Sequence, residues 1–127
     1  RLGAQAGVGW YRYPGGGGKV VDPLLEDMMV EEAYFARQPR RAFTAEDITA
    51  RLLLAVTNGA FALLGAGDAA EIDLAAIEGL GLPRDRPGPI ALARECGAAG
   101  VLARIEALSP EDPGFWRPAP ALRAEAG

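Results

Sequence analysis

The sequence predicts an all-α protein, a compact helical bundle, and three observations support this. Apolar residues recur at intervals of three and four along most of the chain, the spacing of one helix face. Helix-capping residues, glycines and prolines separate these stretches. Alternation of apolar and polar residues, the pattern typical of strands, does not run for any useful length. The connections between predicted helices span about two to eight residues, as in helical bundles.

The N-terminal segment, residues 1–22, is predicted to be an irregular connector. It is rich in glycine and carries Trp10, Tyr11 and Tyr13 within four residues. Because an exposed ring forgoes the free energy of burial, we expect the connector to dock on the bundle and to bury Trp10. The chain is therefore divided into a docking connector, 1–22, and a helical C-terminal domain, 23–127.

The first helices of this domain have clear start signals. Asp22 and Pro23 have the residue types of an N-cap and a first helical position, and Pro39 is expected to end that helix. The next stretch, Thr44 to Leu64, begins with a capping-box-like pattern and has the strongest helical periodicity. Apolar residues also fill its other faces, so we expect it to be central and buried nearly all round.

Four further helices are predicted in the rest of the chain. A capping box at Asp68 and Glu71 opens a helix that Gly79, Gly81 and Pro83 are expected to stop. Gly88 and Pro89 open a short helix, and another covers Gly97 to Leu108. Ser109 to Asp112 has the pattern of one more cap. An extended segment with Phe115 and Trp116 then leads to a short tail helix.

Composition excludes several classes of function. The 127 residues are enough for one domain, half of them are apolar, and the net charge is −4. A nucleic-acid partner or a polybasic membrane contact is therefore not expected. The chain has no histidine and one cysteine, Cys96, so it lacks the commonest general base, a disulfide and a cysteine-rich zinc site. We expect no catalytic, cofactor-binding or metal-binding residue in the chain itself.

The N-terminus of the chain and its amino-acid composition suggest where the protein comes from. No basic stretch precedes an apolar run at the N-terminus, so no signal peptide is visible, and a cytoplasmic location is expected. The chain starts at Arg1 rather than methionine, so we expect it to be a piece of a longer protein. Arginine greatly outnumbers lysine, which favours a GC-rich bacterial source.

Several motifs are better explained by structure than by chemistry. Gly65 to Ala70 loosely matches a dinucleotide-binding fingerprint, but a predicted helix rather than a strand precedes it. Gly15 to Lys19 lacks the spacing of a phosphate loop and the hydroxyl residue after Lys19. Cys96 is expected to be a small core residue. Capping and solvation account for the paired carboxylates, which are Glu31 and Glu32, Glu46 and Asp47, and Glu71 and Asp73.

Two features leave alternatives open. Asn58 interrupts an apolar helix, so its amide either bonds another element or faces a ligand or another domain. Arg84, Asp85 and Arg86 lie between two prolines in a charged loop. The default interpretation of that loop is a solvated turn, and the alternative is a site that binds an anionic group.

Four segments together resemble a known family. They are LGAQAGVGWYRYPGGG at Leu2–Gly17, ARLLLAVTNGAFALLGAG at Ala50–Gly67, EIDLAAIEGLGLPRDRPGP at Glu71–Pro89 and FWRPAPALRAEA at Phe115–Ala126. They resemble the C-terminal helical domain of 3-hydroxyacyl-CoA dehydrogenases, and more narrowly the last helical repeat of multifunctional fatty-acid β-oxidation enzymes. The matching positions are Trp10, Tyr11, Asn58, Asp73, Gly81, Pro83, Gly88, Pro89 and Trp116.

The resemblance implies a domain of an NAD-dependent enzyme that oxidises 3-hydroxyacyl-CoA and is fused to an enoyl-CoA hydratase. In that family, NAD and the catalytic His–Glu pair belong to a Rossmann domain. The helical part closes the cleft, completes the acyl-CoA site and packs against a sister repeat. The chain departs from the family pattern at Gln5, Ala6, Gly59, Pro87 and Arg94. These departures are expected in a repeat that serves for packing rather than for ligand contact.

The resemblance therefore predicts a helical domain that braces the dehydrogenase cleft and mediates domain or subunit packing. When isolated, it is expected to form a homodimer through the helix Thr44–Leu64, unless the connector covers the same face. An independent helical module that binds a protein partner is the main alternative. A small acyl-CoA carrier is a third, for which only Arg84 and Arg86 offer a cationic site.

Overall fold

The computed structural model describes residues 3–15 and 18–127, so part of the glycine run, Gly16 and Gly17, lies outside the described residues, as do Arg1 and Leu2. The all-α fold class is confirmed: within the described ranges the chain forms six α-helices, one 3₁₀ turn and one two-stranded hairpin. The helices are α1 Pro23–Phe35, α2 Ala45–Ala62, α3 Ala69–Leu80, α4 Pro89–Cys96, α5 Ala98–Leu108 and α6 Pro120–Ala126.

The chain divides into two compact units, Arg1–Ala42 and Phe43–Gly127. Helix α1 therefore groups with the N-terminal residues, although the sequence predicts it as part of the helical domain. The second unit contains α2 to α6 and is called the bundle below. The docking of residues 1–22 on the bundle stays a prediction.

The N-terminal unit contains a hairpin that the sequence did not predict, since each strand has only two residues. The strands are β1, Tyr11–Arg12, and β2, Val20–Val21, and they pair antiparallel with Tyr11 opposite Val21. Asp22 then caps α1 as expected, because its carboxylate accepts the Leu24 N–H at 3.3 Å. The same carboxylate pairs with Arg12 at 3.2 Å, which joins the hairpin to the helix.

Helix α1 ends earlier than expected, and its apolar stripe is not a core element. The helix stops at Phe35 instead of continuing to Pro39, and Arg37 follows with a positive φ of 52°. None of its residues is buried. Its large apolar side chains are more than two-fifths exposed at Leu24, Met28, Met29, Val30, Tyr34 and Phe35.

The bundle is built around α2, which contacts each of the helices α3 to α6. Four large side chains are fully buried: Phe61 of α2, Ile90 of α4, Ile105 of α5 and Leu122 of α6. Trp116, Ile72 and three alanines, Ala60, Ala93 and Ala119, complete this core. The central position of α2 is confirmed.

The expectation that α2 is buried nearly all round is wrong. Ala60 and Phe61 are its buried residues, whereas Ile48, Leu52, Leu53 and Leu63 are 45–62% exposed. The other helices of the bundle are short, so they cover only part of an 18-residue helix. The other helices of the bundle therefore leave an apolar face of α2 uncovered.

Local signals set the ends of the bundle helices. Thr44 with Asp47 and Asp68 with Glu71 both form complete capping boxes, as predicted. Gly81 ends α3 in the left-handed conformation, at φ 69°. Gly79, also expected to stop this helix, lies inside it.

The cap pattern at Ser109 to Asp112 does not start a helix. Asp112 instead accepts the N–H groups of Gly114 and Phe115, each at 3.0 Å, in a turn.

Candidate functional site

Asp73 connects α3 to the first turn of α4. Its side chain is 9% exposed, and its two oxygens accept the N–H of Ile90 at 2.7 Å and of Ala91 at 3.0 Å. These donors lie in the first turn of a helix whose own N-cap, Gly88, has no side chain to offer. Asp73 therefore caps a neighbouring helix, where the helix dipole also favours a negative charge. The expected solvated position for this carboxylate is wrong, although capping is its role.

Gly88 and Pro89 make this approach feasible. A Cβ at Gly88 would lie 2.3 Å from the Cβ of Asp73. Two non-bonded carbon atoms cannot approach so closely, so no larger residue fits at Gly88 without movement. Pro89 is buried at the first helical position, where its missing N–H removes one donor that would need a partner. Three positions singled out by the resemblance thus form one structural unit, which we call the Asp73 junction.

Arg84, in the loop between α3 and α4, does not form an anion-binding site. The Arg84 guanidinium pairs with Glu78 at 2.7 Å, and both side chains are largely solvent-exposed. Pro83, Pro87 and Arg86 are also exposed. This arrangement supports the solvated-turn interpretation, and it weakens the acyl-CoA carrier alternative, which needs both arginines.

Asn58 holds the extended segment before α6. Its Nδ2 donates to the Arg117 carbonyl at 2.9 Å, and its Oδ1 accepts the Ala119 N–H at 2.8 Å. Both ends of the amide are therefore used inside the bundle, which favours the structural alternative over a ligand-facing one. Because one amide satisfies a donor and an acceptor two residues apart, it holds that segment in extended form along α2.

Trp116 lies in the segment that Asn58 holds and is 6% exposed. Phe115 packs edge-on against it, with ring centroids 4.9 Å apart, but remains 60% exposed. Trp116 therefore holds this segment from the core, whereas Phe115 covers Trp116 from the surface.

The departures from the family pattern fall on surface positions. Gly59 is exposed in α2 with open space around its Cα, and Gln5 and Ala6 are exposed in the 3₁₀ turn Ala4–Ala6. Arg94 makes a two-pronged ion pair with Glu125 of α6, at 2.6 and 2.9 Å. This bond lowers the pKa of the Glu125 carboxyl and raises the pKa of Arg94. Arg94 therefore connects α4 to α6.

An apolar groove of about 690 Å³ lies between α2 and α3. Its lining combines small residues with larger apolar ones, and Glu71 is the charged residue of the lining. The lining residues are Val56, Gly59, Ala60, Leu63, Ala66, Gly67, Glu71, Ile72, Ala75, Ala76 and Leu80. Leu52 precedes Val56 by one helical turn and extends the same apolar face along α2. This surface is called the α2–α3 face below, and helical periodicity along the sequence does not reveal the part that α3 contributes.

In the N-terminal unit, the Trp10 side chain is 71% exposed and Tyr11 is 36% exposed. The unit does not itself bury the Trp10 ring, and burial of this ring against the bundle stays a prediction. The Lys19 ammonium lies 4.8 Å from the centre of the Tyr11 ring.

Other motifs form no chemical site. Gly65 has φ 103° and follows the end of α2, so a helix precedes the glycine pattern and the dinucleotide interpretation is excluded. Cys96 is exposed, which contradicts its expected place in the core. Among the described residues, no cluster of three acidic, cysteine or histidine side chains could hold a metal ion. The same ranges contain no helix with the length and apolar content needed to cross a bilayer.

Known proteins resemble this chain over most of its length. No family model matches it. It is 38% identical over 114 residues to the peroxisomal bifunctional enzyme of Danio rerio, an alignment that covers 84% of this chain and 16% of the relative. The human enzyme of the same name is 30% identical over 118 residues, covering 89% of this chain and 16% of the relative. The fatty acid oxidation complex subunit alpha of Acinetobacter baumannii (strain AYE) is 33% identical over 110 residues, covering 81% and 15%.

These relatives define the class: the chain is homologous to one part of the multifunctional fatty-acid oxidation enzymes. The resemblance to the C-terminal helical domain of such an enzyme is confirmed. The chain spans only 15–16% of the length of these relatives. They come from vertebrates as well as from Acinetobacter, so a bacterial source stays a prediction.

Proposed function

We propose that the chain is the C-terminal helical domain of an NAD-dependent 3-hydroxyacyl-CoA dehydrogenase of fatty-acid β-oxidation. In this proposal, it braces the dehydrogenase cleft and packs against another domain or subunit. NAD, the catalytic residues and most of the acyl-CoA site belong to the Rossmann domain, and a sister helical repeat is the packing partner.

The observation that carries this proposal is the exposed α2–α3 face. Leu52, Leu63 and Leu80 are 55–62% exposed around a groove of small residues. A large apolar surface is unfavourable in water and is typical of a contact with another protein surface. The buried polar side chains are paired, since no buried side-chain nitrogen or oxygen in the described residues lacks a hydrogen-bond partner.

Two leucines of α3 provide a matched test of the packing role. Leu80 lines the groove and is 62% exposed, whereas Leu74 is 60% exposed and is not part of the lining. In the complete protein encoded by the parent reading frame, Leu80→Lys is expected to lower 3-hydroxyacyl-CoA-dependent NAD reduction, and Leu74→Lys is expected to leave it near normal. Equal activity of both variants would contradict a packing role for this face.

The reading frame upstream of Arg1 separates this proposal from an independent interaction module. A strand–turn–helix with a GxGxxG pattern there supports the dehydrogenase assignment. A start codon directly before Arg1 favours the module instead. The isolated chain is not expected to bind NAD, and micromolar binding in a calorimetric titration would contradict the division of roles.

A further inference from the structure

The N-terminal unit contains a hollow of about 280 Å³ beside the hairpin and the start of α1. Its lining combines two aromatic rings, aliphatic and thioether side chains, and two carboxylates. The residues are Trp10, Tyr11, Val21, Asp22, Leu25, Glu26 and Met29. This mixture of apolar, aromatic and acidic groups differs from the apolar α2–α3 face.

The two carboxylates are in different electrostatic situations. Asp22 is buried, accepts the Leu24 N–H and pairs with Arg12. Glu26 is exposed at the edge of the hollow and forms no side-chain hydrogen bond or ion pair with any residue in 3–15 or 18–127. The hollow therefore has a carboxylate that no described cation neutralises directly.

The aromatic part of the lining also favours a cation. The Lys19 ammonium, which is not part of the lining, already lies 4.8 Å from the Tyr11 ring centre, so Trp10 is the ring available to a bound cation. Trp10 offers the ring type that attracts cations most strongly, and most of its surface is exposed. Leu25 and Met29 supply apolar surface for the carbon atoms that surround a substituted ammonium group.

We propose that this hollow binds a small organic cation of the substituted alkylammonium class. The Trp10 ring contacts the positive head group, Glu26 balances its charge, and the apolar side chains contact its methyl or methylene groups. Pockets for drug-sized ligands measure about 300–1,000 Å³, so this hollow fits a single head group rather than a whole cofactor. The site lies within the N-terminal unit and is independent of the function proposed for the bundle.

The test uses the full 127-residue chain and two probes of nearly equal shape. Choline carries a trimethylammonium group, and 3,3-dimethylbutan-1-ol is its neutral carbon counterpart. The indole N–H signal of Trp10 in a proton–nitrogen NMR spectrum, assigned with Trp10→Phe, reports binding at constant ionic strength. We expect a saturable shift with choline, and binding of the neutral alcohol at least about fivefold weaker. Equal shifts with both probes, or no saturation with choline, would overturn the proposal.

Charge variants on α1 separate the site from general attraction to an acidic protein. Glu26→Gln is expected to weaken choline binding by about threefold or more, because it removes the carboxylate and keeps the side-chain shape. Glu31→Gln removes the same charge from the same helix but lies outside the lining, so binding should be unchanged. Identical losses in the two variants would reduce the effect to net charge and contradict a built site. Because both side chains are exposed, neither change should alter the circular dichroism spectrum.

Discussion

Asp73 and Gly88 lie so close together that the side chain of one requires the absence of a side chain on the other. The Asp73 carboxylate reaches past Gly88 to two N–H groups of α4, and a Cβ at position 88 would come within 2.3–2.7 Å of its Cβ, Cγ and Oδ1. The carboxylate, the glycine and the proline that follows act together to fix the angle between α3 and α4. The consequences for stability differ for each member of the junction.

Gly88→Ala is expected to destabilise the bundle by at least about 1–3 kcal/mol, since the added methyl group displaces the buried Asp73 side chain. Urea denaturation followed by circular dichroism measures this change. Gly79→Ala is the matched control, because Gly79 lies inside α3 with open space around it. That change should be neutral or stabilising by about 0.5–1 kcal/mol. A Gly88→Ala chain as stable as the original would show that the junction adapts without cost.

Asp73→Asn tests the charge and acceptor pattern at nearly constant volume. One oxygen remains for the Ile90 N–H, but an NH₂ group then faces a second donor, the Ala91 N–H. We expect a loss of about 1–3 kcal/mol in the free energy of unfolding. The exposed loop residue Asp85, changed to Asn, controls for the lost charge and should have little effect. Comparable losses for the two variants would indicate a general charge effect.

Local signals made most of the fold predictable. Capping boxes at Thr44 and Asp68 and the left-handed Gly81 depend on residues close in sequence, so the helix bounds in the bundle follow from the chain itself. The resemblance singled out Asp73 and Gly88 separately. Their contact spans α3 and α4, and no periodic pattern encodes which N–H a distant carboxylate will reach.

Burial was harder to predict than secondary structure. Periodicity predicts a helix with many apolar residues, but exposure depends on how many partner helices lie nearby. Leu52 and Leu63 stay exposed because the partners of α2 in the bundle are short. Cys96 was assigned to the core by residue type, yet it is exposed at the last residue of α4. Two-residue strands such as Val20–Val21 are too short to show alternation.

Asn58→Asp distinguishes the two hydrogen bonds that hold the tail segment. An aspartate keeps an acceptor for the Ala119 N–H but places a carboxylate oxygen opposite the Arg117 carbonyl, which has no proton to donate. We expect a loss of about 1–3 kcal/mol and greater exposure of Trp116, visible as a red shift of its fluorescence in a Trp10→Phe background. Unchanged stability and emission would mean that core packing alone positions the tail.

The ion pair between Arg94 and Glu125 predicts a pH dependence. The hydrogen bond from Arg94 lowers the Glu125 pKa in the folded state, so the unfolded carboxyl takes up its proton first as the pH falls. The stability contributed by the pair is therefore complete above the ordinary glutamate pKa of about 4.3, and it is lost below that value. Arg94→Gln should flatten the change in denaturation midpoint between about pH 5 and pH 3 relative to the original chain. Parallel curves for the two proteins would contradict this assignment.

The α2–α3 face predicts the association state of the isolated chain. In the absence of the proposed packing partner, a second copy can cover the face across a two-fold axis, because such a contact needs only one self-complementary surface. We expect the 13.3-kDa chain to approach twice that mass by light scattering as its concentration rises. Leu63→Lys places a charge on the groove wall and should restore the single-chain mass. Leu74→Lys, which adds the same charge at a similarly exposed leucine outside the lining, should still associate. A single-chain mass for the unmodified protein up to millimolar concentration would contradict self-association through this face, whereas association that survives Leu63→Lys would place the contact on a different surface.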